Sequence, residues 1–170
     1  MPFTPFHFGP ALFFGLLLFR YIHFPTFLIA NVIVDIEPFL ILFFNSGHSL
    51  HGFFHSFAGG SIAAVILALL MVKMDKYLQN LLVTLKLSQD FSSKSIWMAS
   101  FSGIFLHILF DSPLYRDIKP FYPSDFNPFF NTGFFTGFDI YFLCILLFVA
   151  GVVIYGYKYK DKLHAEKKSF

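Results

Sequence analysis

Charged residues are scarce in this sequence of 170 amino acids. Asp, Glu, Lys and Arg together make up 13% of it, against roughly 25% in soluble domains. Hydrophobic residues make up 56%, phenylalanine alone occurs 28 times, and the mean hydropathy is +0.68. Because a soluble core of this size has no room for so many large apolar side chains, the composition excludes an ordinary soluble domain and predicts a polytopic membrane protein.

Cysteine is nearly absent as well. The single Cys144 stands in an apolar run, which excludes an intrachain disulfide and predicts a small buried residue. The N-terminus has no charged leading region and no small-residue cleavage site, so we expect no removable signal peptide. The net charge of +2 says little about partners, and no nucleic acid is expected among them.

Long apolar runs are what the sequence does contain. They cover residues 11–24, 26–44, about 48–72, 95–110 and 138–157. A transmembrane helix needs about 20 apolar residues, so we predict an all-α, polytopic helical bundle with about five (four to five) transmembrane segments. The first two runs either span fully or form a re-entrant pair. Residues 1–157 would form one membrane-embedded domain, and residues 158–170 a basic cytoplasmic tail.

Prolines predict two helix boundaries. Three prolines and a glycine among residues 1–10 indicate an irregular lead-in, with Pro10 in the first turn of the first helix. Pro38 disfavours helical geometry at the residue before it. We therefore expect the second helix to end or break at residues 35–38.

The basic residues predict the orientation of the bundle. Four lysines lie between the third and fourth runs, and five follow the fifth run. The positive-inside rule places both regions in the cytoplasm, so we expect a prokaryotic inner-membrane protein with a cytoplasmic C-terminus. The N-terminus, the end of the second run, the start of the third and the end of the fourth then share the outer side.

Ionisable residues are concentrated at these outer ends. The candidate metal ligands are His7, Asp35, Glu37, His51, His55, His107 and Asp111, with His48 as an additional candidate. A carboxylate inside a span costs about 2.5–3.5 kcal/mol on insertion scales, so it is expected to face a partner, water or a metal ion. Residues three or four apart share a helix face. The spacing of His48, His51 and His55 therefore predicts a helical column of imidazoles.

Imidazole and carboxylate groups are the usual ligands of Zn²⁺, and they also bind Mn²⁺ and Fe²⁺. One to three ions would use this number of ligands. Two ions about 3.5–4 Å apart clamp the oxygens of an in-line displacement and lower the pKa of water, which suits hydrolysis of a phosphoester. Asp35 and Glu37 are the catalytic candidates, with Glu37 as a general base. Ser56 and Ser112 would hydrogen-bond the ligands, and Asp117 is expected to be a solvated loop residue.

The same residues carry a resemblance to a known family. Residues 1–7, 30–38, 50–56, 107–111 and 117–123 resemble, in this order, the predicted membrane-bound metal-dependent hydrolases. That family is distantly grouped with zinc phospholipases C and related single-strand nucleases. The resemblance implies hydrolase chemistry at a metal site built from the seven candidate ligands. The family often has an arginine at the position of Gly52, so Arg116 becomes the candidate for binding a substrate phosphate.

Two other interpretations of the polar residues are open. The chain is a non-enzymatic metal-binding or metal-transporting membrane protein, or a scaffold whose polar residues hold the helices together. Transport predicts polar residues through the whole bundle, whereas this sequence places them at one end. If the chain is an enzyme, its expected partners are membrane lipid and a phosphoester or lipid substrate. No oligomeric state is predicted.

Overall fold

The computed structural model of the chain describes residues 4–45, 49–130 and 137–168. Within these ranges the secondary structure is helical and no strand is formed. The helices are α1 (Thr4–Leu17), α2 (Phe24–Ala30), α3 (Ile36–Phe43), α4 (Phe57–Thr84), α5 (Ser93–Asp111) and α6 (Gly137–Lys168). Two short 3₁₀ turns, Ile33–Asp35 and Phe53–His55, lie before α3 and α4.

Four segments are long and apolar enough to cross a membrane. They are Phe24–Phe43, which combines α2 and α3, Phe57–Thr84, Ser93–Asp111 and Gly137–His164. A shorter apolar helix, Pro5–Leu17, precedes them. The prediction of an all-α bundle with four to five transmembrane segments is therefore confirmed.

The first helix begins earlier than its prolines predicted. α1 starts at Thr4, so residues 4–10 are not an irregular lead-in, and Pro10 lies inside the helix. Pro5 occupies the first turn, where a missing N–H removes no hydrogen bond. Pro10 is fully buried, and packing against neighbouring helices accommodates such a proline in a membrane helix.

The second span is broken, but the break lies before the predicted position. α2 ends at Ala30 and α3 begins at Ile36. Pro38 lies in the first turn of α3, where its missing N–H removes no intrahelical hydrogen bond. In the break, the side-chain amide of Asn31 donates to the carbonyl of Phe27 at 2.8 Å. The 3₁₀ turn that follows carries Asp35 into the interior, where it is 5% exposed.

The histidine-rich stretch is not the predicted helical column. Residues 49–52 form a loop, Phe53–His55 is a 3₁₀ turn, and α4 begins only at Phe57. The backbone N–H groups of His51 and Gly52 donate to the side chains of Asp117 and Glu37, at 3.1 Å each. Because these donors are already bonded to carboxylates, the stretch has no need of helical hydrogen bonds.

Two helices extend beyond their predicted ends. α4 continues to Thr84 rather than residue 72, and α6 continues to Lys168. Residues 158–168, predicted as a basic cytoplasmic tail, are therefore helical and continuous with α6. Intrahelical hydrogen bonds do not require apolar side chains, so a helix that leaves the membrane can continue into the polar sequence after it.

The centre of the bundle is an apolar layer of α2, α4 and α5. Gly103 of α5 lies against Ala30 and the carbonyl of Phe27. The hydroxyl of Ser100 donates to the carbonyl of Ala64 at 2.7 Å, and such small residues let membrane helices approach closely. The buried members of the layer are Ala30, Val34, Ala64, Leu67, Ala68, Met71, Ile96, Ile104 and Ile108. This layer forms the floor of the polar cluster described next.

Candidate metal centre

Six of the seven predicted ligands meet in the buried interior of the bundle. The first group consists of His7, Asp35, His107 and Asp111, whose ligand atoms lie within 4.8 Å of one another. The second group, which meets the same limit, consists of His51, His55 and Asp111. Asp111 belongs to both groups, so the two groups form one continuous cluster.

Four separate parts of the chain supply the cluster. α1 contributes His7, and the 3₁₀ turn before α3 contributes Asp35. The last two turns of α5 contribute His107 and Asp111, which share one helix face. The loop and 3₁₀ turn before α4 contribute the two histidines of the second group. The structure thus gathers side chains that are far apart in sequence, at the end of the bundle where the break in the second span and the start of α4 lie.

The first group pairs imidazole nitrogens with carboxylate oxygens. Nε2 of His7 lies 3.0 Å from Oδ1 of Asp111. Nε2 of His107 lies 3.4 Å from Oδ2 of Asp111 and 3.5 Å from Oδ1 of Asp35. The rings of His7 and His107 lie 4.0 Å apart, centroid to centroid. Every one of these side chains therefore directs a donor atom of the metal-binding type toward the same small volume.

A backbone carbonyl sets the tautomer of His107. Nδ1 of His107 lies 2.8 Å from the carbonyl oxygen of Asn31. A carbonyl oxygen can only accept, so Nδ1 carries the proton and Nε2 keeps its lone pair in the neutral ring. This carbonyl is available because the chain leaves α2 at Asn31. The helix break is thus what orients His107.

Glu37 sets the orientation of His55 from the opposite side of the ring. Its carboxylate accepts from Nδ1 of His55 at 2.9 Å, from the N–H of Gly52 at 3.1 Å and from the N–H of Phe54 at 3.3 Å. A Cβ on Gly52 would collide with this carboxylate. Glu37 belongs to neither ligand group. The predicted ligand and general base therefore lies behind His55, where it positions the ring.

Asp117 orients the ring of His51 in the same way that Glu37 orients the ring of His55. Its carboxylate accepts from Nδ1 of His51 at 2.9 Å and from the backbone N–H of the same residue at 3.1 Å. Tyr115 packs on the His51 ring, with the two centroids 4.3 Å apart. The expectation that Asp117 is only a solvated loop residue is wrong. The sequence signal for its role was its place in the segment 117–123, which carries the family resemblance.

These contacts leave donor atoms of the cluster in need of a partner. Nε2 of His51 and Oδ2 of Asp111 are buried and have no hydrogen-bond partner among the described residues. Nε2 of His55 lies 3.4 Å from Nε2 of His107, so either a proton or a cation must lie between these two nitrogens. A cation between these atoms would satisfy all of them, so the donor set fits a divalent metal.

The charges of the loop histidines differ in the metal-free protein. Burial alone would lower the pKa of His55, but the nearby carboxylates of Asp35 and Glu37 outweigh burial and raise this pKa to about 9. Burial and the neighbouring His55 lower the pKa of His51, despite its bond to Asp117. Burial would raise the pKa of Asp117, but its hydrogen bonds from His51 lower it. At neutral pH, therefore, His55 is protonated and His51 is neutral.

The remaining predicted residues lie outside the cluster. Arg116 is exposed on the loop after α5. The hydroxyls of Ser56 and Ser112 each donate to a backbone carbonyl three or four residues earlier, and Ser56 also caps α4. Their predicted role of hydrogen-bonding the ligands is therefore replaced by local helix-end bonds. His48 lies outside the described residues.

The fold and the cluster define an integral membrane protein with a buried histidine and aspartate site between its helices. The profile of the YdjM inner membrane protein family matches residues 7–167, so the chain belongs to this family and is an integral inner membrane protein. The family's description states the membrane location and no reaction. No curated protein and no solved structure matches the chain.

Proposed function

We propose that this inner membrane protein is a metal-dependent hydrolase that cleaves a phosphoester with water. The observation that carries the proposal is the orientation of three imidazoles. His51, His55 and His107 each have an acceptor at Nδ1, which leaves the three Nε2 atoms available to a cation. Histidines that bind metals have this arrangement, because the acceptor fixes the ring orientation and the tautomer.

The two ligand groups, which share Asp111, would hold two divalent ions. Zinc suits a set of four imidazoles and two carboxylates best, and Mn²⁺ and Fe²⁺ are alternatives. When bound, such ions supply Lewis acidity and lower the pKa of water toward neutrality. Burial of all six ligands keeps bulk water out, so electrostatic interactions inside the site are strong.

Asp35 fits the role of general base better than Glu37. Its Oδ1 lies 3.5 Å from Nε2 of His107 and 3.9 Å from Nε2 of His55, which puts this carboxylate within the cluster. Glu37 already accepts three hydrogen bonds at the Nδ1 side of His55. Asp35 would take the proton that water loses as it attacks phosphorus, and Glu37 would hold His55 in place.

The proposed reaction takes place at the outer face of the inner membrane. Basic residues lie at the end of the bundle opposite the cluster: Lys158 lies over the ring of Phe19 at 4.7 Å, and Lys162 donates to the carbonyl of Ser88 at 3.5 Å. Basic segments favour the cytoplasm. The cluster, at the opposite end, would then meet the outer lipid headgroups, which contain phosphoesters.

Transport of a metal ion is the less favoured function. A second polar contact exists at the basic end, where His23 lies 2.6 Å from Thr26 and 2.9 Å from Asp75. Between the two ends, however, lies the apolar layer that includes Leu67 and Ile104, which are 3% and 0% exposed. A metal ion has no ligands in such a layer. This arrangement supports a site at one end rather than a path through the bundle.

Metal content is the first test. Elemental analysis of the purified protein should show at least one transition metal per chain. The metal should be depleted in a His51→Ala, His55→Ala double variant, which breaks the second ligand group, and further depleted in Asp111→Ala, which breaks both groups. His164→Ala, an exposed histidine on α6, is the matched control and should keep the metal. Equal metal in the double variant, in Asp111→Ala and in the control would reject the site, and the scaffold interpretation would then account for the cluster.

Activity is the second test. Bis(p-nitrophenyl) phosphate and a phospholipid extract would be supplied to the metal-loaded protein in detergent, and the release of nitrophenol and of phosphate-bearing headgroups would be measured. We expect release that stops on chelation and returns with zinc. A metal-loaded protein that cleaves neither substrate would contradict hydrolase function and leave metal binding alone.

A further inference from the structure

We infer that an apolar groove beside the metal centre holds an acyl chain of a phospholipid substrate. The inference rests on the proposed hydrolase function and names the class of molecule on which it would act. The groove lies between α3 and α4 and has a volume of about 450 Å³. This volume falls within the range of about 300–1,000 Å³ found for small-molecule sites.

The groove has a buried apolar floor and half-exposed apolar walls. Val34 and Leu67, each 3% exposed, form the floor. Ile36, Leu40 and Ile66 line the walls and are 52%, 43% and 53% exposed. Both walls belong to segments that can cross a membrane. The open side of the groove therefore faces the hydrocarbon of the bilayer, from which an acyl chain can enter.

The groove adjoins the metal centre at one position. Glu37 is the only charged residue among the described residues that line it. The same carboxylate lies 2.9 Å from Nδ1 of His55, and Phe54, which also lines the groove, is the residue before His55. A chain lying between α3 and α4 would therefore bring the polar part of its lipid next to the second ligand group.

The lining selects an acyl chain over a peptide. An acyl chain needs no hydrogen bonds, and nine of the ten lining side chains are apolar. A peptide backbone laid in the groove would lose its hydrogen bonds to water and find few acceptors or donors to replace them. A phospholipid also supplies the phosphoester that the proposed chemistry requires.

A second groove of similar size provides the comparison. It has a volume of about 350 Å³ and lies where α4 meets α2 near the basic end. Its described lining, which includes Leu78, Leu81 and Leu85, contains no charged residue. Lipid that occupies this groove would be ordinary boundary lipid. Occupancy that depends on the metal centre is expected only in the groove beside Glu37.

The experiment uses one substitution in each groove. Ile66→Trp fills the groove beside Glu37, and Leu81→Trp is the matched control, since both residues lie on α4 and are about equally exposed, at 53% and 56%. The probe is a phosphatidylglycerol with a diazirine in one acyl chain, bound in detergent and photolysed. Mass spectrometry then maps the labelled residues. In parallel, cleavage of the same lipid is compared with cleavage of soluble bis(p-nitrophenyl) phosphate.

We expect labels on α3 and α4 beside Glu37 in the unsubstituted protein and in Leu81→Trp, and their loss in Ile66→Trp. The ratio of lipid cleavage to soluble-ester cleavage should fall about tenfold in Ile66→Trp, the size of effect expected when a substrate loses a small part of its apolar contact. The ratio should stay unchanged in Leu81→Trp.

Equal labelling of both variants, or of the outer face of α6, would overturn the inference. So would a dimer that dissociates in Ile66→Trp, because a second copy would then occupy the groove. Labelling that Ile66→Trp removes, in a protein that cleaves neither ester, would leave the acyl site standing and refute the proposed hydrolase.

Discussion

At the scale of single residues, the candidate ligands depend on acceptors behind them. Asn31, Glu37 and Asp117 occupy Nδ1 of three histidines at 2.8–2.9 Å. None of the three belongs to a ligand group, yet each decides which nitrogen faces the cluster. In metal sites, removing such an acceptor typically lowers metal affinity 10- to 100-fold. The residues on which the proposed site depends therefore extend beyond its candidate ligands.

Asp117→Ala tests this dependence. We expect zinc affinity to fall about 10- to 100-fold while the helical content stays unchanged, because His51 loses the acceptor that orients it. Competition with a chromophoric chelator measures the affinity. Asp125→Ala is the matched control on the same loop, since Asp125 is 83% exposed and pairs only with the surface Lys119 in the described contacts. Equal affinity of the two variants would contradict the orienting role.

The proton on His55 predicts the pH dependence of metal binding. Carboxylates raise its pKa from 6.5 to about 9, so the metal-free site is protonated there below pH 9. A metal ligand must be deprotonated, so the incoming ion displaces this proton. Zinc affinity should therefore fall as pH falls from 9 to 7, by about tenfold per unit for one proton.

Calorimetry in buffers of different ionisation enthalpy measures this proton directly. We expect proton release on zinc binding at pH 7, and less release in His55→Ala. Affinity that is flat between pH 7 and 9 would show that His55 is neutral before the metal arrives.

The sequence was sufficient to predict which residues meet in the buried cluster and insufficient to predict what orients their side chains. Carboxylates and histidines in apolar runs stand out because hydrocarbon does not tolerate them singly, and this applied to His107 and Asp111. No sequence pattern marks the carbonyl of Asn31, because every residue has a backbone carbonyl. Asp117 lies in a polar loop, where a carboxylate is ordinary and does not indicate a functional role. Its partner His51 is 66 positions away.

At the scale of helices, α2 and α5 must lie close for the site to form. Gly103 lies against Ala30 and the carbonyl of Phe27, and its missing side chain also leaves room for the amide of Asn31. Asn31 in turn provides the carbonyl bonded to His107. Helix packing and ligand orientation are thus coupled through a single glycine.

Gly103→Ala tests this coupling, with Gly156→Ala as the control. Alanine normally stabilises a helix by up to about 1 kcal/mol relative to glycine, and Gly156 has nothing within 4 Å, so the control should be neutral or more stable. At Gly103 the new methyl overpacks the contact, and we expect a loss of about 1–3 kcal/mol. Thermal unfolding in detergent and zinc titration would both report it. A Gly103→Ala protein as stable as the control would contradict the close approach of α2 and α5.

Helix existence was predictable from the sequence, whereas some helix boundaries were not. Apolar runs of sufficient length predicted the spans, and four of them are present. The loop before α4 was predicted as helix because its histidines have helical spacing. Its N–H groups instead bond to Glu37, 15 positions before Gly52, and to Asp117. Local periodicity carries no information about partners at that distance.

At the scale of the whole molecule, the bundle has a buried polar end and a basic end. The cluster lies at the first, and the lysines of α6 beside the α4–α5 connection lie at the second. Charge asymmetry of this kind sets the direction in which a membrane protein inserts. The side on which the cluster lies determines which leaflet could supply a lipid substrate.

Cysteine labelling tests the orientation. Cys144 is the single cysteine and is 3% exposed, so a Cys144→Ser background leaves reporter positions free of interference. Asp125→Cys lies on the loop after α5, and His164→Cys lies near the end of α6; both positions are exposed. With a membrane-impermeant maleimide on intact spheroplasts, Asp125→Cys should be labelled and His164→Cys only after lysis. The reverse pattern would put the cluster at the cytoplasmic face. Asp125 and Asp117 lie on the same loop, and Asp117 is hydrogen-bonded to His51 of the cluster. The substrate would then have to come from the inner leaflet, and the positive-inside rule would fail for this chain.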